Sequence, residues 1–243
     1  LTSNEIDELF SKTLSSKNRD ALALMGAISS QGTALFSDNT LSLKTTLDSD
    51  LGTLSTDAFY TTKRRTPSYK INLSSTLFDL GSILAAPTLK TAGFDISLTG
   101  KGLDFNKLNA HASGELSNLS YRDYTYDKVA LEGNLSAERF NGKMHISDSA
   151  LDLDLEGDID FASEVRNFSF SSNIKRANFA ALGWIPETVA GVFSGSIDLA
   201  LQGNTIDEMI GDLYIEKGIL KSPTKTYSFS SVAAQSRLKN NIR

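Results

Sequence analysis

Five carboxylates stand at every second position of one short run, Asp152, Asp154, Glu156, Asp158 and Asp160, within the stretch SALDLDLEGDIDF at 149–161. Acids at that density raise two chemistries, acid–base work by paired carboxylates or coordination of a hard cation such as calcium. On an extended chain, however, alternate residues lie about 6.6 Å apart and point outward together, whereas calcium wants six to eight oxygens converging from a folded loop. Neither an EF-hand loop nor a glycine-rich nonapeptide repeat occurs. With no cysteine and only His111 and His145, the chain offers no cluster of transition-metal ligands. There is no G-x-S-x-G elbow and no glycine-rich phosphate loop opening a helix. The acids therefore read as the wetted side of a strand, and the expectation is a protein that is not an enzyme and holds no metal or cofactor.

The alternate positions of the same run are Leu151, Leu153, Leu155, Ile159 and Phe161, an unbroken apolar stripe. Pairing residues across short turns tests whether its neighbours extend it. A turn at SAER (136–139) sets Leu135 opposite Phe140, Gly133 opposite Gly142, Leu131 opposite Met144 and Val129 opposite Ile146. A turn at SDSA (147–150) sets Ile146 opposite Leu151 and Met144 opposite Leu153. Across 162–167, Phe161 meets Phe168, Ile159 meets Phe170 and Leu155 meets Ile174. Directly opposed residues of an antiparallel pair point to one side, and a one-residue slip would invert a strand, so agreement over three turns predicts an antiparallel meander. The predicted strands are 126–135, 140–147, 150–161 and 167–175, with one shared apolar face.

The rest of the chain fits that class. Only 4 of 243 residues are proline, against about 5% in average proteins, which leaves long strands uninterrupted. Period-two patterning runs from Leu22 to Ile28 and again over Leu41, Leu43 and Leu47. Ile6, Leu9, Phe10 and Leu14 recur at helical spacing behind a Ser3 or Asn4 cap, and short helix-like turns follow the strands before Pro87 and Pro186, so helices are predicted to be few and short, at 4–14, 77–85 and 178–183. A net charge of −5, with one short basic run, Lys63, Arg64 and Arg65, read as a solvated loop, excludes nucleic acid as a partner. No stretch approaches the roughly 20 apolar residues of a membrane span, and the opening at Leu1 reads as that of a piece cut from a longer protein. A single tryptophan argues against the aromatic girdles of an outer-membrane barrel; Trp184 is placed in a loop packed on the sheet end.

The chain also repeats itself. YKINLSSTLFDLGSILAAP (69–87) matches FSFSSNIKRANFAALGWIP (168–186), with Leu80 against Leu182 and Gly81 against Gly183. FDISLTGKGLDFNKLNAHASGEL (94–116) matches IDLALQGNTIDEMIGDLYIEKGIL (197–220), which sets Phe94, Ile96 and Leu98 on an apolar face of their own. Repetition of this kind marks an extended architecture in which each element packs on its neighbours. The expected organisation is an N-terminal helix and linker over 1–20, then one elongated β-domain over 21–243 with repeats of about a hundred residues, 69–167 and an incomplete 168–243.

The runs YRDYTYDKVALEGNLSAERFNGKMHISDSALDLDLEGDIDF (121–161), FSFSSNIKRANFAALG, GSIDLALQGNTIDEMIGDLYIEKGIL and YSFSSVAAQSR resemble the periplasmic repeats of the AsmA-like superfamily, in its TamB (translocation and assembly module) branch of the Bacteroidetes type. The resemblance covers about residues 40–235 and rests on patterned Tyr, Gly, Asp and apolar residues. It implies an all-β fold with a few short helices, a meander sheet curled into an open groove or half-barrel. It implies a periplasmic lipid conduit, anchored in the inner membrane of a Gram-negative cell by a helix this chain lacks. Phospholipid would be the cargo, and an outer-membrane β-barrel the partner of parts not present in this sequence. Glycines within strands, at 133, 142 and 157, agree with curling, and such a groove would shelter acyl chains at about 0.8 kcal/mol per buried methylene. Two other readings stand beside it. A scaffold aiding outer-membrane protein assembly would use edges and loops, and a secreted carbohydrate-binding or adhesive domain would use the polar face and Tyr121, Tyr124 and Tyr126. A closed core made by the same stripe is the structural alternative to the groove.

Overall fold

A computed structural model describes residues 23–104, 107–186, 191–204 and 209–237; the helix expected at 4–14 lies outside them. The fold is all-β. Thirteen antiparallel strands follow one another in a single meander sheet in chain order. They are β1 (Ser29–Ser37), β2 (Thr40–Ser49), β3 (Gly52–Thr61), β4 (Ser68–Asp79), β5 (Thr91–Lys101), β6 (Asn109–Tyr121) and β7 (Tyr124–Ser136), then β8 (Arg139–Ser147), β9 (Leu151–Asp160), β10 (Asn167–Ala177), β11 (Val192–Gln202), β12 (Ile210–Lys221) and β13 (Thr226–Ser236). One four-residue helix, α1 (Leu80–Ile83), follows β4. All four prolines, Pro67, Pro87, Pro186 and Pro223, fall in connections, where a missing N–H disturbs no ladder. The chain divides into two compact units, Leu1–Lys101 with Ser113–Lys128 and Gly102–Ala112 with Val129–Arg243.

In the first unit, β1 and β2 are joined by Asp38 and Asn39, both at positive φ (42° and 63°), as a two-residue type I′ hairpin requires. Its register carries apolar rows across the strands. Phe36, Leu41, Tyr60, Tyr69 and Gly100 form one row, and Ala34, Leu43, Ala58, Ile71 and Leu98 the next. β4 bulges between Ser75 and Phe78, which sets Phe78 opposite Ala92. Asp79 then ends the strand: its N–H donates to Leu51 O at 2.8 Å, and its carboxylate accepts from Ser82 N at 3.0 Å and caps α1.

The second unit repeats these devices. Ala137 and Glu138 join β7 to β8 with φ of 47° and 64°. β10 bulges between Ile174 and Ala177, which sets Ala177 opposite Phe193. Asn178 N donates to Ala150 O at 2.8 Å, and its side chain accepts from Ala181 N at 3.1 Å. Asn118 and Lys217, at φ 49° and 51°, complete the correspondence. Each of these pairs is 99 positions apart (137 − 38, 178 − 79, 217 − 118). The equivalences thus reach upstream of residue 69, pairing β1 with β7, β2 with β8 and β3 with β9.

Several expectations need correction. The pattern from Leu22 to Ile28 is not a strand: residues 23–24 are helical, and the chain turns at Gly26, whose positive φ of 64° and packing against the Asp50 carboxylate leave no room for a side chain. The helix expected over 77–85 shrinks to α1 because Phe78 and Asp79 still pair with Ala92 and Thr91. At 178–183 the chain makes a single hydrogen-bonded turn, closed by Leu182 N to Asn178 O at 3.1 Å, and not a helix. Two registers slip by two residues. Ile146 faces Leu153 and Met144 faces Leu155, because Asp148 closes the turn itself, donating to Leu151 O at 3.0 Å and accepting from Ala150 N at 2.8 Å. Phe168 faces Ile159, and Ile174 faces Leu153, because the β9–β10 connection starts at Phe161, one residue before the expected turn. A slip of two keeps every side chain on its face, so the shared apolar stripe survives both corrections.

Candidate functional site

The apolar face of the second unit is assembled row by row. Phe140, Ile159, Phe168 and Leu201 form one row; Gly142, Gly157, Phe170, Leu199 and Leu213 the next; then Met144, Leu155, Ser172, Ile197, Ile215 and Val232. Ile146, Leu153 and Ile174 form a fourth, and Leu151 packs below it against Ala177. On β7, the bounds of the two-residue turn place Leu135 opposite Phe140, and the adjacent Asn134 donates to Asn141 across the hairpin at 3.1 Å. Leu131 and Val129 continue that face along β7. Phe161 lies one position past the end of β9, half-buried. Phe94, Ile96 and Leu98 belong to the first unit, opposite Ser75, Leu73 and Ile71.

Burial grades along the strands. Val129 (3% exposed), Leu151 (3%), Ile146, Ile174 and Phe94 are buried near one strand end. Leu131, Leu135, Phe140, Met144, Leu153, Leu155, Ile159, Phe168 and Phe170 are all half-buried, keeping some contact with water. Among the described residues no large side chain is fully buried, whereas a closed core of this size excludes water from many. Glycine shapes the surface at two points. The Phe140 ring lies against Gly133 and Gly142, and the Phe170 ring lies over Gly157, so aromatic rings fill the space that side chains there would take.

The buried strand end is built by a reciprocal pair. Phe78 (5% exposed) covers Ala92 (0%) in the first unit, while Phe193 (6%) covers Ala177 (0%) in the second. One ring and one methyl fill each site, with the ring on opposite strands. Phe78 meets Phe94 edge-on at 6.1 Å, whereas Phe193 stacks on Phe179 at 6.1 Å, and Trp184 stacks on Phe179 at 5.6 Å.

On the other face four of the five acids of the ladder meet cations across strands. Arg139 lies 3.4 Å from Asp160, Lys143 lies 3.9 Å from Glu156, and Lys175 reaches Asp154 at 3.1 Å and Asp152 at 3.6 Å. His145 Nδ1 sits 2.7 Å from Asp154 Oδ1. The Lys175 and His145 contacts hold the Asp154 carboxyl below its usual range, and Asp154 in turn holds Lys175 above its own. Among the described residues no group of three or more acids and histidines is placed to hold a metal ion. A polar hollow of about 550 Å³ over Gly142 and Gly157 is lined by Lys143 and Glu156, which pair with each other, and by Glu132, which pairs with His111 at 3.8 Å. The tyrosines at 121, 124 and 126 are engaged in packing: Tyr126 is buried, Tyr124 meets it edge-on at 4.9 Å, and Arg122 lies over the Tyr121 ring.

Sequence reasoning missed the part of the face on β2–β4 and β11–β13; on β2 and β3 Thr45 and Thr56 interrupt the stripe. The alternation in IDLAL and GDLYI was the available signal. The arrangement offers a wide, half-wetted hydrocarbon surface. No family model, curated protein or solved structure matches the chain.

Proposed function

We propose that this chain is a segment of a lipid conduit, in which acyl chains of phospholipid lie on the apolar face and pass along it without any chemical step. The observation that carries the reading is an apolar face that stays only half-buried through every strand from β8 to β12 while its back is polar, with the acid ladder of β9 among Ser169, Ser171 and Asn173. Leaving so many Leu, Ile and Phe side chains half-wetted is costly in a protein with no ligand for them, since each carries about 25 cal/mol per Å² of apolar surface. An acyl chain would supply the missing contact at about 0.8 kcal/mol per methylene, spread over many similar places, so that no single one traps it. The resemblance to the TamB branch supports the same reading and extends it: a periplasmic protein, anchored in the inner membrane and working toward an outer-membrane barrel, through segments outside this sequence.

The test is site-specific photo-crosslinking with benzoylphenylalanine. Introduced at Met144 or Leu155 it should capture phospholipid, and at Glu156, between them on the ionic face, it should not. A Met144→Asp variant that stays folded should lose capture, because a charge placed among hydrocarbon loses hydration worth several kcal/mol. Equal capture from both faces, or none from the apolar one, would sink the reading.

A further inference from the structure

Seven cations of the described residues lie within reach of a carboxylate, Lys90, Lys107, Lys128, Arg139, Lys143, Lys175 and Arg237, and Arg122 and Lys225 lie over tyrosine rings. The connection from β3 to β4 departs from this. Lys63, Arg64 and Arg65 are consecutive and exposed, and none forms an ion pair among the described residues; neither does Lys101, whose Cα partner in the ladder is Ser68 at the far side of the same connection. Asp38 lies in the adjoining turn, whose Asn39 carbonyl accepts from Thr62 N at 2.9 Å. In a protein with 29 acids and 24 bases, three consecutive cations without an ion pair among the described residues concentrate positive potential.

This basic connection stands at the end of the apolar face. The last pair before it, Thr61 with Ser68, is followed by Tyr60 opposite Tyr69, and then by Ala58, Ile71 and Leu98. Both tyrosines are half-buried, and the Tyr69 ring lies over Gly100. The order along the strands is therefore cation, then tyrosine, then hydrocarbon, the sequence of environments that a lipid presents from headgroup to tail. From Tyr69 to Phe78 the strand covers about 30 Å, twice the half-thickness of bilayer core that one acyl chain fills.

We propose that Lys63, Arg64 and Arg65 form a headgroup contact that selects phospholipids of net negative charge, their phosphate held at the β3–β4 rim while a tail lies on Ile71, Leu73 and Leu98. The arginines can grip a phosphate through two parallel N–H donors, and the lysine adds a point charge. This rests on the conduit reading above and adds to it which lipid is preferred.

The experiment places benzoylphenylalanine at Ile71 and exposes the protein, at low salt, to vesicles of phosphatidylglycerol or of phosphatidylcholine. The native rim should give at least about tenfold more phosphatidylglycerol adduct, a preference that shrinks in high salt. A Lys63→Gln, Arg64→Gln, Arg65→Gln variant should lose the preference while its phosphatidylcholine adduct is unchanged. A charge-conserving Lys63→Arg, Arg64→Lys, Arg65→Lys variant should keep most of it, which separates charge from any effect on folding. An undiminished preference in the glutamine variant, or equal capture of both lipids by the native chain, would overturn the headgroup contact and leave the conduit standing. Capture of neither lipid at Ile71 would overturn both, including the case in which the chain sediments with anionic vesicles and so uses the rim only to touch a membrane surface.

Discussion

Asp79 and Asn178, 99 positions apart (178 − 79), perform one task in the two repeats: each ends a bulged strand, donates its N–H to a carbonyl in the connection that leads into the neighbouring strand, Leu51 or Ala150, and caps the turn that follows. Replacing either by alanine frees an N–H at a chain reversal. Each change is expected to cost about 1 kcal/mol in urea unfolding, while Asp79→Asn should be near neutral at pH 7 because asparagine already serves at the equivalent place.

Acid should weaken the fold through named groups. Hydrogen bonds from Ser82 hold the Asp79 carboxyl below its usual range, as Lys175 and His145 do for Asp154. A carboxyl whose folded pKa is depressed stabilises above its unfolded value, about 3.9, and loses that stabilisation as pH falls through the folded value. Stability followed from pH 6 down to pH 2 should therefore drop below about pH 4, and the drop should be smaller in Asp79→Asn and Asp154→Asn. Lys175 acts at the other end, where its raised pKa makes its contribution vanish only as pH rises past the ordinary lysine range.

The turn Ala137–Glu138 holds two non-glycine residues at positive φ, a conformation that costs roughly 1 kcal/mol for each such side chain. Substituting Asn-Gly, the pair this hairpin prefers, should raise the melting temperature by several degrees. The reverse graft, Asp38→Ala with Asn39→Glu, should lower it. Equal melting temperatures in both experiments would mean that neighbouring contacts, such as Ala137 N to Leu108 O at 3.1 Å, set the turn conformation and not its residues.

Exchanging the reciprocal pair offers a sharper test of packing. Phe193→Ala should cost about 3–5 kcal/mol by leaving a void, and Ala177→Phe about 1–3 kcal/mol by overfilling. The double variant recreates the arrangement of Phe78 and Ala92, so its cost should fall well short of the sum, a coupling that a double-mutant cycle reads directly.

The parity of the strands was legible because a period of two is written in residue type. Leu151 to Phe161 and Val129 to Leu135 could not have pointed elsewhere without exposing every apolar side chain. Their registers were not legible, since a slip of two preserves the pattern, and the deciding contact, the Asp148 carboxylate on Ala150 N, depends on a local turn that Ser, Asp and Ala can form in several ways. The repeat was visible only from residue 69, where large apolar residues recur. Upstream, Asp38–Asn39 and Ala137–Glu138 share a backbone conformation and no side-chain chemistry, so the likeness lives in dihedral angles. That the apolar face stays only half-buried was likewise hidden, because the same stripe would serve a closed core.

A repeat of six strands fixes a unit of length. Neighbouring strands lie about 4.8 Å apart, so each copy of the β1–β6 pattern advances the sheet by about 29 Å along its hydrogen bonds. Because each strand in the order is hydrogen-bonded to the one before and the one after, its ladder depends on its immediate neighbours alone. Length in such a sheet is therefore added in whole repeats, in steps of 99 residues (137 − 38), and not by redesign of any contact.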